Sequence, residues 1–395
     1  MTEQSVSTTT ATHGHTRATG VSARRDNSVR SLVDYNYLSA TTGERKTIRA
    51  AHQLYEHLIS LWAPAIIETA HDLGVFAWLA ERSGTAEQLA DGLKTDRRAT
   101  RVLLDGLFAY GVLERSAAGG EVRYTLPEDF RHALLPGGTF SLVGKMAHDR
   151  HVAWAAWNNL GDAVRHGTRD QSGNDRTNQI SETDYEDLTS GINFWAPPIV
   201  DVLASYLTES GWKQNETASV LDVGCGTGLY SQLLLERFPS WTAEGIDAPR
   251  IIRLADRQAE RLGVADRFTG TVRDFWQHGW GEIVDLILFA NIFHLQTADS
   301  VQKLMRSAAD VLAADGLICI ADQIVVDEAH PTTAQDRFAL LFAASMLATG
   351  GGDAYALSEY DQWLAEAGLE RVAVLEAPMH RLLLVGHAGR HPRTD

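Results

Sequence analysis

Apolar residues recur at three- and four-residue spacing between about residues 48 and 80, through Leu54, Leu58, Leu61, Trp62, Ile66 and Leu73. That is the period of an amphipathic helix. Pro64 and Gly74 offer two places for the run to break, so the pattern predicts two helices here. Thr85 stands as an N-cap before a short helical run, and Asp96 before a longer one that reaches Tyr110. Gly111-Val112-Leu113-Glu114 and Glu121 to Leu126 then read as two short strands about Gly119-Gly120. Helix, turn, helix and hairpin in that order predict a winged helix. Residues 142–166 return to helical spacing and carry Trp154, Trp157 and Leu160, whereas 168–183 show no apolar periodicity and read as a loop.

From Ser219 the period changes. Strands near 219–224, 242–247, 268–274, 284–293 and 316–326 alternate with helical stretches, which predicts a parallel sheet covered on both faces. Arg371 to Glu376 and Arg381 to Gly386 are too close in sequence for a crossover and must pair antiparallel. The chain thus divides into a tail (1–47), a mostly helical domain (48–190) and an α/β domain (191–395). The tail is rich in Ser, Thr, Gly and Arg and is expected to be disordered.

Composition narrows the function classes. A formal charge of −16 argues against broad affinity for nucleic acid or anionic membrane, and no apolar run has the length of a membrane span. Arg24-Arg25 is followed by no hydrophobic segment, which excludes a twin-arginine export signal. Cys225 and Cys319 fall at predicted strand or strand-end positions and read as reduced core residues of a cytoplasmic protein.

The most informative stretch is Leu221 to Tyr230, LDVGCGTGLY. A strand ending in Asp222 enters a turn with Gly224, Gly226 and Gly228 and continues into a helix. Glycines serve where backbone must take positive φ or where a ligand must reach main-chain N–H groups. A dinucleotide turn looks similar, but the GxGxxG spacing is absent. About twenty residues on, Glu244-Gly245-Ile246-Asp247 ends a second strand in a carboxylate placed to hold ribose hydroxyls.

With these residues, LDVGCGTG at 221–228, RDFW at 273–276 and FANIFH at 289–294, the chain from about 50 to 388 resembles the class I S-adenosylmethionine (SAM)-dependent small-molecule O-methyltransferases of plant phenolic and bacterial antibiotic pathways. The resemblance implies a winged-helix dimerisation domain followed by a Rossmann-like seven-stranded methyltransferase domain, SAM as cofactor, no metal, and a homodimer. It implies that Asp222, Gly224, Cys225, Gly226 and Gly228 line the methionine end of the cofactor, that Asp247 holds its ribose, that Asp274 and Phe275 bracket its adenine, and that Asn291 adjoins it.

By the same resemblance His294 is the general base, tethered by Asp322 and Asp353. Imidazole, with a pKa about 6.5, best removes a phenolic proton as the oxygen attacks. Three features depart from the family pattern. Leu295 and Gln296 follow the histidine where Asp or Asn and then Trp are common, Ala290 replaces a frequent lysine, and the polar loop at 168–183 stands where substrate-adjoining residues usually lie. These keep C-methylation, or another reaction such as cyclisation, as alternatives.

His151, Trp154, Trp157, Phe194 and Trp195 could form an aromatic wall for a small aromatic or polycyclic substrate, with core packing as the competing reading. His148, Asp149 and His151, with His278 near the cofactor, could bind a metal, but a solvated or substrate-facing helix is the simpler reading. The winged helix also suggests a DNA-binding regulator, with Arg97, Arg98 and Arg101 on the would-be recognition helix. Its Leu103, Leu104, Leu107 and Phe108, and the acidic chain, oppose that. The excess apolar surface of the first helices is expected to be covered by a second subunit.

Overall fold

The computed structural model describes residues 44–167, 181–213, 216–276, 279–326, 330, 332–350 and 352–390. The tail before residue 44, most of the 168–183 loop and His278 lie outside the described residues. Contacts divide the chain into two compact units, Met1–Ala65 and Ile66–Asp395. The first carries α1 (Glu44–Ile59), which leaves Leu54, Tyr55 and Leu58 exposed, as are Leu61 and Trp62 beyond it.

The helical run from residue 48 forms three helices: α1, α2 (Trp62–Asp72) and α3 (Val75–Glu81). The breaks fall at Ser60-Leu61 and at Gly74, which has φ 78°. Pro64 breaks nothing. It sits in the first turn of α2, where an N–H has no intrahelical acceptor to lose.

Two of the sequence-level caps form as expected. Thr85 opens α4 (Ala86–Leu93) with a capping box, Gln88 N donating to Thr85 Oγ1 at 3.2 Å and Thr85 N to Gln88 Oε1 at 3.0 Å. Asp96 accepts from Ala99 N at 2.8 Å and opens α5 (Arg97–Ala109).

The hairpin follows, β1 (Glu114–Ala118) against β2 (Glu121–Thr125), with Gly119 and Gly120 both left-handed in the two-residue turn. The first strand therefore starts where the expected one at Gly111 to Glu114 ended. Phe76, Leu79, Leu89, Leu104, Leu107 and Tyr124 form the core of this part.

After α6 (Glu128–Leu134), residues 142–166 are helical but segmented: α7 (Val143–His148), a π-turn over Asp149–Ala153, α8 (Trp154–Asn158) and α9 (Leu160–His166). α10 (Glu182–Gly191) and α11 (Ala196–Glu209) lead to the sheet. Its elements are β3 (Ser219–Val223), α12 (Leu229–Arg237), β4 (Thr242–Asp247), α13 (Pro249–Leu262), β5 (Phe268–Val272), β6 (Val284–Ala290), α14 (Ala298–Val311) and β7 (Leu312–Asp322). Then come α15 (Ala334–Thr349), α16 (Leu357–Glu366), β8 (Leu369–Ala377) and β9 (His380–His387).

The seven strands lie in the order β5-β4-β3-β6-β7-β9-β8. Only β9 is reversed, pairing antiparallel with both β7 and β8. Alternate residues face opposite sides. Val220, Leu286, Leu288 and Cys319 pack with α11, α12 and α13, while Leu221, Ile287, Phe289 and Ile320 pack with α14 and α16. Both cysteines are free and buried.

The strand order reverses about β3, which pairs parallel with β4 on one side and with β6 on the other. Ligands of open α/β sheets bind outside the carboxyl ends of strands at such a point. The ends of β3, β4, β6 and β7, and the start of the reversed β9, all meet this rim.

Candidate active site

The turn after β3 is tied to β4. Gly224 N and Cys225 N donate to Ile246 O at 2.9 and 3.2 Å, and Gly226 N donates to Asp247 Oδ2 at 3.0 Å. Gly224, Gly226 and Gly228 are all left-handed, with φ 67°, 57° and 70°. A Cβ on Gly226 would lie 2.9 Å from Thr189 Cγ2 of α10, so a side chain would both strain the turn and fill the space above it. This bare backbone, facing α10, is the cradle a cofactor would need. Tyr185 of the same helix is half-buried, and desolvation followed by the Asp247 charge raises its hydroxyl pKa.

Asp222 does not open onto that space. It is fully buried and accepts from Ser231 Oγ of α12 at 2.7 Å, joining strand end to helix start. Burial pushes its pKa up to about 7, against the opposing Ser231 hydrogen bond. Asp247 is buried at the rim with Oδ1 accepting from Ala248 N at 2.7 Å, and burial raises its pKa too, against backbone bonds from Gly226 and Ala248.

Asp274 is exposed and accepts from Trp276 N at 2.9 Å. Phe275 packs beside Gly224, as a Cβ there would lie 3.7 Å from the Phe275 ring and 2.5 Å from Ile292 Cδ1. The Cys225 thiol is buried and burial raises its pKa.

His294 lies on a 3₁₀ turn, Phe293–Leu295, that β6 enters through Asn291. The strand ends at Ala290, three residues earlier than the apolar run suggested, because Asn291 takes φ 59°. His294 is buried, and its Nδ1 lies 2.7 Å from Asp322 Oδ1, the last residue of β7. Oδ2 of the same carboxylate accepts from Phe293 N at 2.9 Å and His294 N at 3.2 Å, and Oδ1 also from Gln323 N at 2.9 Å. Burial alone would raise the Asp322 pKa, but the charge and hydrogen bond of His294 and the Gln323 N–H hold it below the ordinary value.

Asp353 reaches His294 differently from what the sequence suggested. Its N–H donates to His294 O at 3.0 Å while its exposed carboxylate accepts from Ala354 N. Gly352 passes so close to His294 O that no Cβ fits between them. This segment braces the histidine through backbone, not through a second carboxylate on the ring.

The aromatic wall is only partly the expected one. Trp195 faces Phe342 and His380, with ring centroids 6.4 and 4.9 Å away, and Phe194 adjoins it at 5.7 Å. Phe342, on α15, stands 4.9 Å edge-on from His294. Trp154 instead donates to Glu68 Oε2 at 2.7 Å, Trp157 is exposed, and His151 pairs with Asp184 at 3.0 Å. α15 is anchored at its start by buried Arg381, which bonds Asp336 Oδ1 at 2.5 Å and Thr333 Oγ1 at 2.9 Å.

Three rim residues went unread in the sequence: Phe342, Gln323 and His380. His380 Nε2 lies 2.8 Å from both Asn291 Oδ1 and Gln323 Nε2, and Asn291 Nδ2 donates to Tyr230 OH at 2.8 Å. Burial drops the His380 pKa to about 4. Its signal was its place at the start of the one reversed strand, which brings an N-terminal strand end to a rim of C-terminal ends.

Among the described residues no group of three or more His, Cys, Asp or Glu is placed to hold a metal. Arg97 pairs with Asp91 at 3.1 Å and Arg101 with Asp105 at 2.7 Å, so two of the three arginines of the DNA-binding reading are already neutralised.

Comparison with known proteins agrees with this geometry. Residues 220–316 match a methyltransferase domain and residues 55–128 an O-methyltransferase dimerisation domain. A 3-hydroxy-5-methyl-1-naphthoate 3-O-methyltransferase of Streptomyces sahachiroi is 25% identical over 315 residues, 79% of this chain and 87% of that protein. A mitomycin biosynthesis 6-O-methyltransferase of Streptomyces lavendulae is 24% identical over 325 residues, 78% of this chain and 86% of its own. Human N-acetylserotonin methyltransferase, solved with SAM, shares the fold with a TM-score of 0.73 and 18% identity, over 89% of this chain and 99% of that one. The chain is a SAM-dependent methyltransferase of class I architecture. In joining an O-methyltransferase dimerisation domain to this fold it resembles the O-methyltransferases found among these relatives.

Proposed function

We propose that the chain methylates an oxygen of a small aromatic or polycyclic natural-product intermediate, with His294 as general base. The observation that carries this reading is the buried His294–Asp322 pair on the rim beside the glycine turn. Bound SAM supplies an electrophilic methyl group on a sulfonium sulfur.

The residues supply position and a proton acceptor. Asp247, at the end of β4, offers its carboxylate to ribose hydroxyls; Phe275 and Ile292 flank the adjoining space beside Gly224. Asp322 fixes Nδ1 of His294 as the protonated nitrogen, which leaves Nε2 free to take the acceptor's proton as its oxygen attacks. Asp322 then stabilises the resulting imidazolium. Phe342 and Trp195 give a flat ring apolar faces to stack on. Most of the rate comes from holding acceptor oxygen and methyl carbon in line. The exposed apolar residues of α1 support a homodimer.

The test is incubation of the protein with methyl-labelled SAM and a panel of hydroxynaphthoates and related phenols, with product NMR. A labelled methyl on oxygen supports the reading. A labelled methyl on ring carbon would replace it with C-methylation, and unlabelled, rearranged product with a reaction such as cyclisation.

A further inference from the structure

A cavity of about 290 Å³ lies beside Thr227 of the glycine turn, between residues 136–142, the start of α7, α10 and α13. Arg257, Gln258 and Arg261 line it from α13 and Asp187 from α10, together with Asn193 and Thr227. None of these residues serves the chemistry argued above. Gln258 is only 4% exposed, yet its Nε2 has no hydrogen-bond partner among the described residues. A buried amide left so costs about 1–3 kcal/mol, and such a group calls for an explanation. Arg257 and Arg261 are exposed and make no ion pair with any described residue. Four residues apart on one helix, their side chains are neighbours and can grip a single oxyanion from two sides.

Asp187 is the only carboxylate of the lining, so the cavity is net positive in a chain of net charge −16. Val143 and Leu254 give it an apolar part. One buried amide without a partner, two arginines in no ion pair with a described residue and a short apolar wall describe one kind of occupant. We propose that this cavity is a second ligand site, which takes a small metabolite bearing a carboxylate or phosphate group.

The site would communicate with the cofactor turn. Thr227, between Gly226 and Gly228, donates from Oγ1 to Asn193 Oδ1 at 2.6 Å, and both residues line the cavity. An occupant that fixes this pair alters SAM affinity, and SAM alters the occupant's by the same factor.

The experiment uses the full-length protein saturated with S-adenosylhomocysteine, so that the cofactor site is closed to competing anions. Inorganic phosphate is followed by ³¹P line broadening and succinate by saturation-transfer NMR; whichever binds assigns the anion class. At least one probe should bind, and the Arg257→Gln/Arg261→Gln double variant should weaken it at least tenfold. Those two arginines are exposed, so the variant folds, which a thermal melt verifies. Gln258→Leu should weaken the probe severalfold and raise the melting temperature of the ligand-free protein, because the unpaired amide is gone. Absence of binding by both probes would overturn the proposal. So would binding that only the S-adenosylhomocysteine-free protein shows, or binding that the double variant retains in full.

Discussion

Asp322 holds His294 twice, with Oδ1 at 2.7 Å from the ring nitrogen Nδ1 and Oδ2 accepting the residue's own backbone N–H at 3.2 Å. One carboxylate therefore sets both the ring and the turn that carries it. If His294 is the base, His294→Ala lowers turnover by roughly a hundredfold or more, the size typical of general-base assistance, and leaves S-adenosylhomocysteine affinity nearly intact. Asp322→Asn places an amide NH₂ against N–H donors, so it lowers turnover and also destabilises the fold by about 1–3 kcal/mol. Steady-state kinetics and chemical denaturation separate the two effects. A loss below about tenfold for His294→Ala would point to carbon methylation, which needs less proton removal.

Gly226→Val should abolish cofactor binding. The new side chain meets Thr189 and strains a left-handed turn. Isothermal calorimetry with S-adenosylhomocysteine reads it, and an unchanged dissociation constant would displace the cofactor from this turn.

Asp222 should make stability fall as pH rises. Its folded pKa, about 7, lies above the unfolded value of about 3.9. The folded state therefore holds the proton more tightly, and this contribution is complete below pH about 4 and lost as pH rises through 7. Asp336, held down to about 2 by Arg381 against its burial, and His380, lowered to about 4 by burial, act in the opposite sense at lower pH. Both cancel when wild type is compared with Asp222→Asn. Urea titrations at pH 5 and 7.5 should show the wild type losing stability relative to the variant, with a slope approaching 1.4 kcal/mol per pH unit at most. A flat difference would mean Asp222 is ionised throughout.

The apolar face of α1 should mediate association. Leu54→Glu with Leu58→Glu places charge where both side chains stand exposed, so the monomer's own fold is spared while a dimer is disrupted. Light scattering should give a dimer for the wild type and a smaller species for the double variant. A monomeric wild type would remove the interface.

Much of the fold was legible because its signals are local. Thr85 and Asp96 cap helices through side-chain bonds to residues three positions on, and Gly119-Gly120 make a two-residue turn with no outside help. The alternation from Ser219 onward identified the parallel strands for the same reason. Errors arose where a local signal was permissive. Pro64 tolerates a helix's first turn as well as it breaks one, and the apolar run through Ile292 and Phe293 continued past the point where Asn291 turns the backbone.

The sequence by itself determined the glycine turn, since glycine positions, strand and helix are contiguous there, and its family resemblance singled out His294 and Asp322. Only the tertiary structure decided how those places are used. It set Asp222 beneath the turn against Ser231, replaced the expected Asp353 carboxylate with a backbone brace, and brought Phe342 and His380 to the rim from residues 48 and 86 positions beyond His294. The physical reason is that a reversed strand and a buried Arg381 anchor bring together groups that no periodicity relates. Contacts between residues so far apart depend on how whole elements pack, and no short window of sequence contains that information.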